Sequence, residues 1–337
     1  MGLSMERDAA PPIRITGTGA YLPETVLTNA ELRARTGLSD EWILARSGIR
    51  ERRVAGKEEA ASDLGLAAAR QALAEAGCSP EGVDLLVVAT TTPDTLCPST
   101  ASWIQARLGA SRALPFDVSA SSAGFLVAVS VARQYLQGGA ARRALVVAAE
   151  VVTRYVDWGD RENCFLWGDG AAAALLEAGP GPGPTLLGLT LRADGRQADL
   201  LLLPGGGSRV APITARTVEI GAHAIRMHGT HLYRSAVRRQ VETCREVLGE
   251  AGVPLEAVSL LVPHQANLRI IEAVAARLEM PMERVVVTIH YTGNCSGASL
   301  PLALDAALRQ GRLRTGDVVL LAAFGGGLIW GAGLLRV

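Results

Sequence analysis

Pro115-Phe116-Asp117-Val118-Ser119-Ala120-Ser121-Ser122-Ala123-Gly124-Phe125 carries a short β-type segment into a cluster of small residues, and an apolar run from Leu126 to Tyr135 follows. Val127, Val131 and Tyr135 recur at the spacing of one helix face. The junction reads as a strand, a tight turn and a helix N-terminus, where backbone N–H groups lack intrahelical partners and favour negative charge. A serine held there can carry an acyl group that is reached from outside. Ser119, Ser121 and Ser122 would serve equally well as simple helix caps. The stretch therefore predicts local structure and leaves the chemistry to the rest of the chain.

Working outward, Leu85-Leu86-Val87-Val88-Ala89-Thr90 is an apolar strand of the kind buried on both faces of a parallel sheet. Ala60 to Gly77 is a helical pattern stopped by glycine, Pro98 to Leu108 is another helix, and Ala144 to Ala149 is the next strand. Gly168-Asp169-Gly170 leads into the apolar run Ala171 to Leu176, and Gly179-Pro180-Gly181-Pro182-Gly183-Pro184 is linker-like punctuation near the midpoint. Beyond it the pattern returns. Leu260-Leu261-Val262-Pro263 answers Leu85 to Val88, Asn294-Cys295-Ser296-Gly297-Ala298 answers the serine turn, and Val318 to Ala323 answers Leu145 to Ala149. Two copies of an α/β unit imply two parallel-type sheets back to back with helices outside them. The expected division is a disordered 1–12, one half at 13–178 and a second at 185–337, with the Ser122 and Asn294 turns meeting at a central pseudo-twofold.

Composition excludes several classes. Nearly half of the 337 residues are hydrophobic, and 33 basic residues balance 33 acidic ones. A zero net charge argues against a nucleic-acid protein and against a polybasic membrane anchor. No apolar run reaches a membrane span and Met1 to Pro12 lacks a signal-peptide core, so a cytoplasmic protein is expected. Five scattered cysteines without a CxxC pair argue against a zinc ribbon or a disulfide scaffold. Ile13 to Gly19 holds half of a GxGxxG, but Leu22 stands where the last glycine belongs, so a dinucleotide site is weak. His223, His228 and His231 are crowded, yet no carboxylate or cysteine joins them, and no metal is expected. On charge alone, the basic segment Trp42 to Arg53 reads as a solvated helix face.

Three turns can converge: the one carrying Ser122, Pro263-His264-Gln265-Ala266-Asn267, and Gly293-Asn294-Cys295-Ser296. A histidine just after an apolar strand ends at the same sheet edge as the serine, although a lone histidine is often only a satisfied core residue. To these are added Thr-Gly-Thr-Gly-Ala-Tyr-Leu-Pro-Glu at 16–24, Ser-Asp-Glu-Trp-Ile at 39–43, Gly-Ile-Arg-Glu-Arg at 48–52, Phe-Asp-Val at 116–118, and Ala-Gly-Phe at 123–125. Trp-Gly-Asp-Gly at 167–170, Val-Pro-His-Gln-Ala-Asn-Leu-Arg-Ile at 262–270, Ala-Phe-Gly-Gly-Gly at 323–327 and Trp330-Gly331 complete the set. With these words in this order, the chain from Ile13 to Val337 resembles a β-ketoacyl-ACP synthase III, a condensing enzyme of the thiolase fold.

The resemblance implies two duplicated α/β halves in a five-layered α-β-α-β-α sandwich, a homodimer, and an acyl-CoA or acyl carrier protein (ACP) thioester as substrate with no further cofactor. It implies a triad whose last two members are His264 and Asn294, with Ser122 where the family has cysteine. It further implies an oxyanion site at the N–H groups of Ser122 and Gly326, and a coenzyme A site at Trp42, Arg46 and Arg161. Asn267 falls near the pantetheine arm and Arg269 at the ACP-docking surface.

Three departures shape the expected chemistry. A serine forms its alkoxide far less readily than a cysteine forms its thiolate, so Ser122 needs a general base, with His264 the candidate. An acyl-serine is an ester, a poorer donor than a thioester, which predicts an acyltransferase of specialised metabolism delivering the acyl group to a hydroxyl or amine. The alternative is decarboxylative condensation with malonyl-ACP. A serine hydrolase is more distant, because the first glycine of GxSxG and the acid before the histidine are both missing. Cys97 stands where many family members carry a phenylalanine that closes the acyl pocket across the dimer, which predicts room for more than acetyl. Thr230 and Tyr233 replace a usual Asn and Phe at the tunnel mouth and predict altered acceptor contacts.

Overall fold

A computed structural model describes residues 10–337. Most of the expected disordered segment therefore lies outside the described residues, and Pro12, at its end, accepts a hydrogen bond from Gly179 N at 2.8 Å. The first half comprises β1 (Ile13–Tyr21), β2 (Thr25–Thr28), α1 (Asn29–Thr36), α2 (Asp40–Ser47), β3 (Glu51–Val54), α3 (Ala61–Glu75), β4 (Leu85–Ala89), α4 (Thr100–Leu108), β5 (Leu114–Val118), α5 (Gly124–Gln137), β6 (Arg143–Val151) and β7 (Asp169–Ala178). The second comprises β8 (Thr185–Ala193), β9 (Leu201–Leu202), α6 (Ala215–Glu219), β10 (Arg226–Met227), α7 (Gly229–Ala251), β11 (Val258–Pro263), α8 (Leu268–Arg277), α9 (Ile289–Thr292), α10 (Ser299–Arg309), β12 (Val318–Gly325) and β13 (Ile329–Arg336).

The layers follow from side-chain alternation. Successive strand residues point to opposite faces, and here both faces are apolar. Leu85, Val87 and Ala89 of β4 join a core shared with α5 and α10, whereas Leu86 and Val88 join one shared with α3 and α4. In the second half Val319, Leu321 and Ala323 of β12 enter the shared central core, and Leu320 and Ala322 pack towards α7 and α8. Each sheet is thus covered on both faces, with α5 and α10 between the two. The result is the thiolase-like five-layered sandwich.

The sheets are mixed rather than parallel. Among the described residues only β4–β5, β4–β6 and β11–β12 run parallel, and β1–β7, β6–β7, β12–β13 and β8–β13 are antiparallel. The order β11-β12-β13-β8-β1-β7-β6-β4-β5 makes one nine-stranded ribbon, joined at its centre by the single pair Arg14↔Thr185. The strand corresponding to β5 is reduced in the second half to an isolated bridge, Leu261↔Val285. The Gly/Pro stretch at 179–184 is not a loose linker. The Arg14 side chain donates to Gly179 O, Pro182 O and Glu177, and Ile15 N donates to Pro184 O at 2.8 Å, which fastens the stretch to β1.

Gly17 and Gly19 on β1 also have a packing explanation. A β-carbon on Gly19 would fall 2.8 Å from the Gln71 side chain of α3, so glycine here lets helix and strand approach, and the incomplete dinucleotide motif needs no ligand. No helix among the described residues is long and apolar enough to cross a membrane.

Candidate active site

Three strand ends assemble the site. β5 is tied down by Asp117, whose carboxylate accepts from Thr100 N and Ala101 N at 2.7 and 2.8 Å and so caps α4. The chain then turns through Ser121–Ala123 into α5, with Ser121 at φ 48°. A left-handed non-glycine residue costs about 1–2 kcal/mol, and this one places buried Ser122 at the mouth of α5. The end of β12 closes on the same turn. A β-carbon on Gly325 would lie 2.6 Å from Ser122 N, so only glycine permits the approach. The second half repeats the device: Ser296 has φ 46°, the turn Ser296–Ala298 leads into α10, and the two turns lie against each other.

His264 follows β11 and extends its ladder by one residue, its N–H donating to Ala322 O at 2.7 Å. Gln265 fixes that position. Its amide donates to Pro263 O and Val286 O, and its oxygen accepts from Thr288 N and Ile289 N at 2.8 and 3.0 Å. A side chain with all these bonds made is a rigid joint between the histidine turn and α9, which precedes Asn294. His264 is only 3% exposed and its Nδ1 has no partner. Burial pushes its pKa down to about 3, so the ring is neutral at physiological pH.

Asn294 is held by its backbone, N donating to Leu166 O at 2.8 Å and O accepting from Gly168 N at 3.0 Å. Its Oδ1 accepts from Ser296 N at 2.9 Å. With the oxygen occupied, Nδ2 is left as the group to face the cleft. The site therefore offers a neutral imidazole and an amide donor beside a serine at a helix N-terminus. No acidic side chain partners His264 Nδ1, and an imidazole with so low a pKa is a weak acceptor for the Ser122 proton.

Ser122, His264 and Asn294 open into a cleft of about 900 Å³. Its wall includes Trp42, Arg46, Asn267, Arg269, Thr230 and Tyr233. Ser39 caps α2 through Trp42 N, a bond worth about 1 kcal/mol, and α2 sets Arg46 over the Trp42 ring at 4.2 Å. The Trp42 ring meets Phe165 edge-on, with centroids 5.1 Å apart. The basic segment is thus partly a built wall rather than a solvated face. The Asn267 amide donates to Arg46 O at 2.8 Å while its oxygen caps α8 through Arg269 N at 2.9 Å, so this residue joins α2 to α8.

Three named residues fall elsewhere. Arg161 is exposed near Gly37, outside the cleft lining. Gly326 packs against Leu201, and of the glycines at 325–327 it is Gly325 that lines the cleft. Cys97 is exposed on the loop after β4, beside Leu96, and does not line the cleft of its own chain. His228 and His231 line the cleft, and no group of three His, Cys, Asp or Glu side chains among the described residues is placed to hold a metal. Sequence reading missed Phe165, Phe324 and the joint made by Gln265. The last lies inside the word Val-Pro-His-Gln-Ala-Asn, but three of its partners, Val286, Thr288 and Ile289, lie more than 20 positions on.

Comparison with known proteins agrees with this geometry. Residues 116–195 match the family model for 3-oxoacyl-[acyl-carrier-protein] synthase III, and residues 248–337 match the model for its C-terminal part. The β-ketoacyl-[acyl-carrier-protein] synthase III of Erythrobacter litoralis is 47% identical over 324 residues, covering 96% of this chain and 98% of that protein. The enzyme of the same name from Methylococcus capsulatus is 46% identical, with the same coverage. Among solved structures, the 3-oxoacyl-[acyl-carrier-protein] synthase III from Aquifex aeolicus superposes with a TM-score of 0.89 at 44% identity, covering 96% of this chain and 100% of that one. The priming β-ketosynthase of the R1128 polyketide pathway gives 0.87 at 38% identity, covering 96% of each chain. These relatives carry the name of a condensing enzyme, and that overturns the expectation of acyl transfer to a hydroxyl or amine. That expectation rested on ester reactivity alone. The chain belongs to the 3-oxoacyl-ACP synthase III family of acyl-transferring enzymes.

Proposed function

We propose that this protein is a priming β-ketoacyl-ACP synthase that uses Ser122 as its acyl carrier. In the first step Ser122 Oγ attacks the carbonyl of an acyl-CoA or acyl-ACP; a C–O bond forms, the C–S bond breaks, and the thiol leaves with the serine proton. In the second, malonyl-ACP loses carbon dioxide and the resulting enolate attacks the acyl-serine carbonyl. A C–C bond forms, the C–O bond to Ser122 breaks, and the alkoxide takes a proton from water. Release of carbon dioxide drives attack on an ester that would otherwise be a reluctant donor.

The observation that carries this reading is the pairing of neutral His264 with an Asn294 amide whose oxygen is already occupied. Preorganised neutral donors stabilise an enolate oxygen as charge develops, and each is worth roughly 10²–10³ in rate. Trp42 and Arg46 fit the adenine and phosphates of coenzyme A, Asn267 the pantetheine arm, and Arg269 an acidic carrier protein; Arg161 belongs at the outer end of the same path. Exposed Leu96, Trp103 and Leu114, at 82%, 43% and 52%, fit an interface with a second copy along the β5 edge. A cytoplasmic setting suits these substrates.

The test is a product assay on acyl-loaded protein with malonyl-ACP. Carbon dioxide and a β-ketoacyl-ACP are expected, together with an acyl adduct on Ser122 by intact mass that is lost in Ser122→Ala. An adduct without carbon dioxide release would overturn the condensation. Ser122→Cys should load faster, by about tenfold or more, because a thiolate is available near neutral pH and an alkoxide is not.

A further inference from the structure

Glu150, near the end of β6, is completely buried and has no place in the mechanism so far. A carboxyl group taken out of water is costly unless it is hydrogen-bonded throughout, and this one is. Oε2 accepts from Thr91 N at 3.1 Å and Thr92 Oγ1 at 2.8 Å, and the Thr91 hydroxyl lies within 3.1 Å of both oxygens. Oε1 accepts from Gly297 N at 3.3 Å, in the turn that Ser296 opens. Every partner is a neutral donor and none is a cation. Thr92 Oγ1 also accepts from Val151 N at 2.8 Å, which locks the carboxylate's own support.

The partners fall on two sides. Thr91 and Thr92 follow β4 in the first half, whereas Gly297 belongs to the turn behind Asn294 in the second. Ser296 N is the group that occupies Asn294 Oδ1. A β-carbon on Gly297 would sit 3.3 Å from Glu150 Oε1 and 3.1 Å from Ser121 O, so the turn is seated on the carboxylate and on the serine turn together. We infer that Glu150 is the positioning residue for Asn294, holding the Ser296–Ala298 turn so that the asparagine Nδ2 faces the cleft.

An acid is required for this because both of its oxygens can accept. Thr91 N and Gly297 N are backbone donors on opposite oxygens and cannot reverse. A glutamine has one acceptor oxygen, so its NH₂ would face one of the two N–H groups. Glu150→Gln therefore breaks one arm while keeping the volume.

The inference rests on the reading that Asn294 acts in decarboxylation, and the experiment separates the two. Ser122 loading and malonyl-ACP decarboxylation are measured in wild type, Glu150→Gln, Asn294→Ala and the double variant. Glu150→Gln is expected to lower decarboxylation by about tenfold to a hundredfold, the effect of a small misplacement of a reacting group. Loading should stay within about threefold of wild type, and Glu150→Gln should cost nothing further once Asn294 is gone, as for two residues acting as a unit. Losses that multiply in the double variant, or loading that falls in step with decarboxylation, would make Glu150 a structural residue only and overturn the inference. Wild type without carbon dioxide release, or Asn294→Ala without loss, would fail the functional reading itself. If Glu150→Gln does not fold, Glu150→Asp goes through the same cycle; it keeps the acid but is too short to reach both sides, and equal decarboxylation by Glu150→Asp and wild type would overturn the inference.

Discussion

His264 illustrates how one buried group sets both chemistry and acid sensitivity. Its ordinary value of 6.5 falls to about 3 in the folded chain because burial disfavours the charged ring. Between those values the unfolded chain binds the extra proton and the folded one does not, so stability rises with pH across that interval. The contribution is complete above about 6.5 and is lost progressively as the pH falls towards 3. Melting temperature measured from pH 7 to pH 4 should therefore fall more steeply in wild type than in His264→Ala. Asn294→Asp probes the other donor. The carboxylate keeps its bond to Ser296 N but turns an acceptor towards the enolate, so decarboxylation should fall by about 10²–10³ while Ser122 loading persists. Equal loss of both steps would place Asn294 in loading as well.

Elements are held in place here by polar pins as much as by apolar packing. Arg52 of β3 is fully buried, and its guanidinium donates to Leu27 O, Asn29 Oδ1 and Phe165 O. It thus ties β2 and the start of α1 to the segment that supports Trp42 from behind. Burial lowers its pKa to about 10, which still leaves it charged. Arg52→Ala would strand these acceptors at about 1–3 kcal/mol each if all stayed dry. We expect an overall loss of about 3–5 kcal/mol in denaturant unfolding, the cost of breaking a buried charged network. At temperatures where the variant remains folded, KM for a CoA-linked donor should rise more than kcat falls, because Phe165 and Trp42 line the entry rather than the reacting centre. A kcat loss with unchanged KM would contradict that assignment.

At the scale of the whole molecule, β5 is one of the two edges of the nine-stranded ribbon, β11 being the other. An exposed apolar edge is a pairing site unless something covers it, and Leu114 is exposed on β5, with Leu96 and Trp103 exposed on the loop before α4 and on α4. Light scattering is expected to give about twice the 35.2 kDa of the chain. Leu114→Asp should shift that mass towards the monomer. A monomeric wild type, or a dimer indifferent to Leu114→Asp, would remove the β5 edge as the interface.

Much of this was legible before folding was considered. Uninterrupted β-branched and apolar runs such as Leu85 to Ala89 read as strands covered on both faces, and their return after the midpoint pointed to duplication. The word Val-Pro-His-Gln-Ala-Asn, the serine turn and Gly-Asn-Cys-Ser at 293–296 pointed to the family and to the three side chains that meet in the cleft. Strand direction was not legible, because an apolar run has the same composition in either orientation and only the connections decide. The length of the Gly/Pro stretch suggested a loose joint, but Arg14 and Pro12, more than 160 positions away, fasten it.

The sequence by itself determined the apolar strands and the three turns that meet in the cleft, since these depend on local pattern and on short words. Only the tertiary structure decided what those residues do there. The neutrality of His264 comes from the atoms packed around it, and the direction of the Asn294 amide comes from Ser296 N. The support beneath that turn comes from a carboxylate 147 positions away in the chain. Protonation and orientation are properties of an environment, and an environment exists only once distant segments have met.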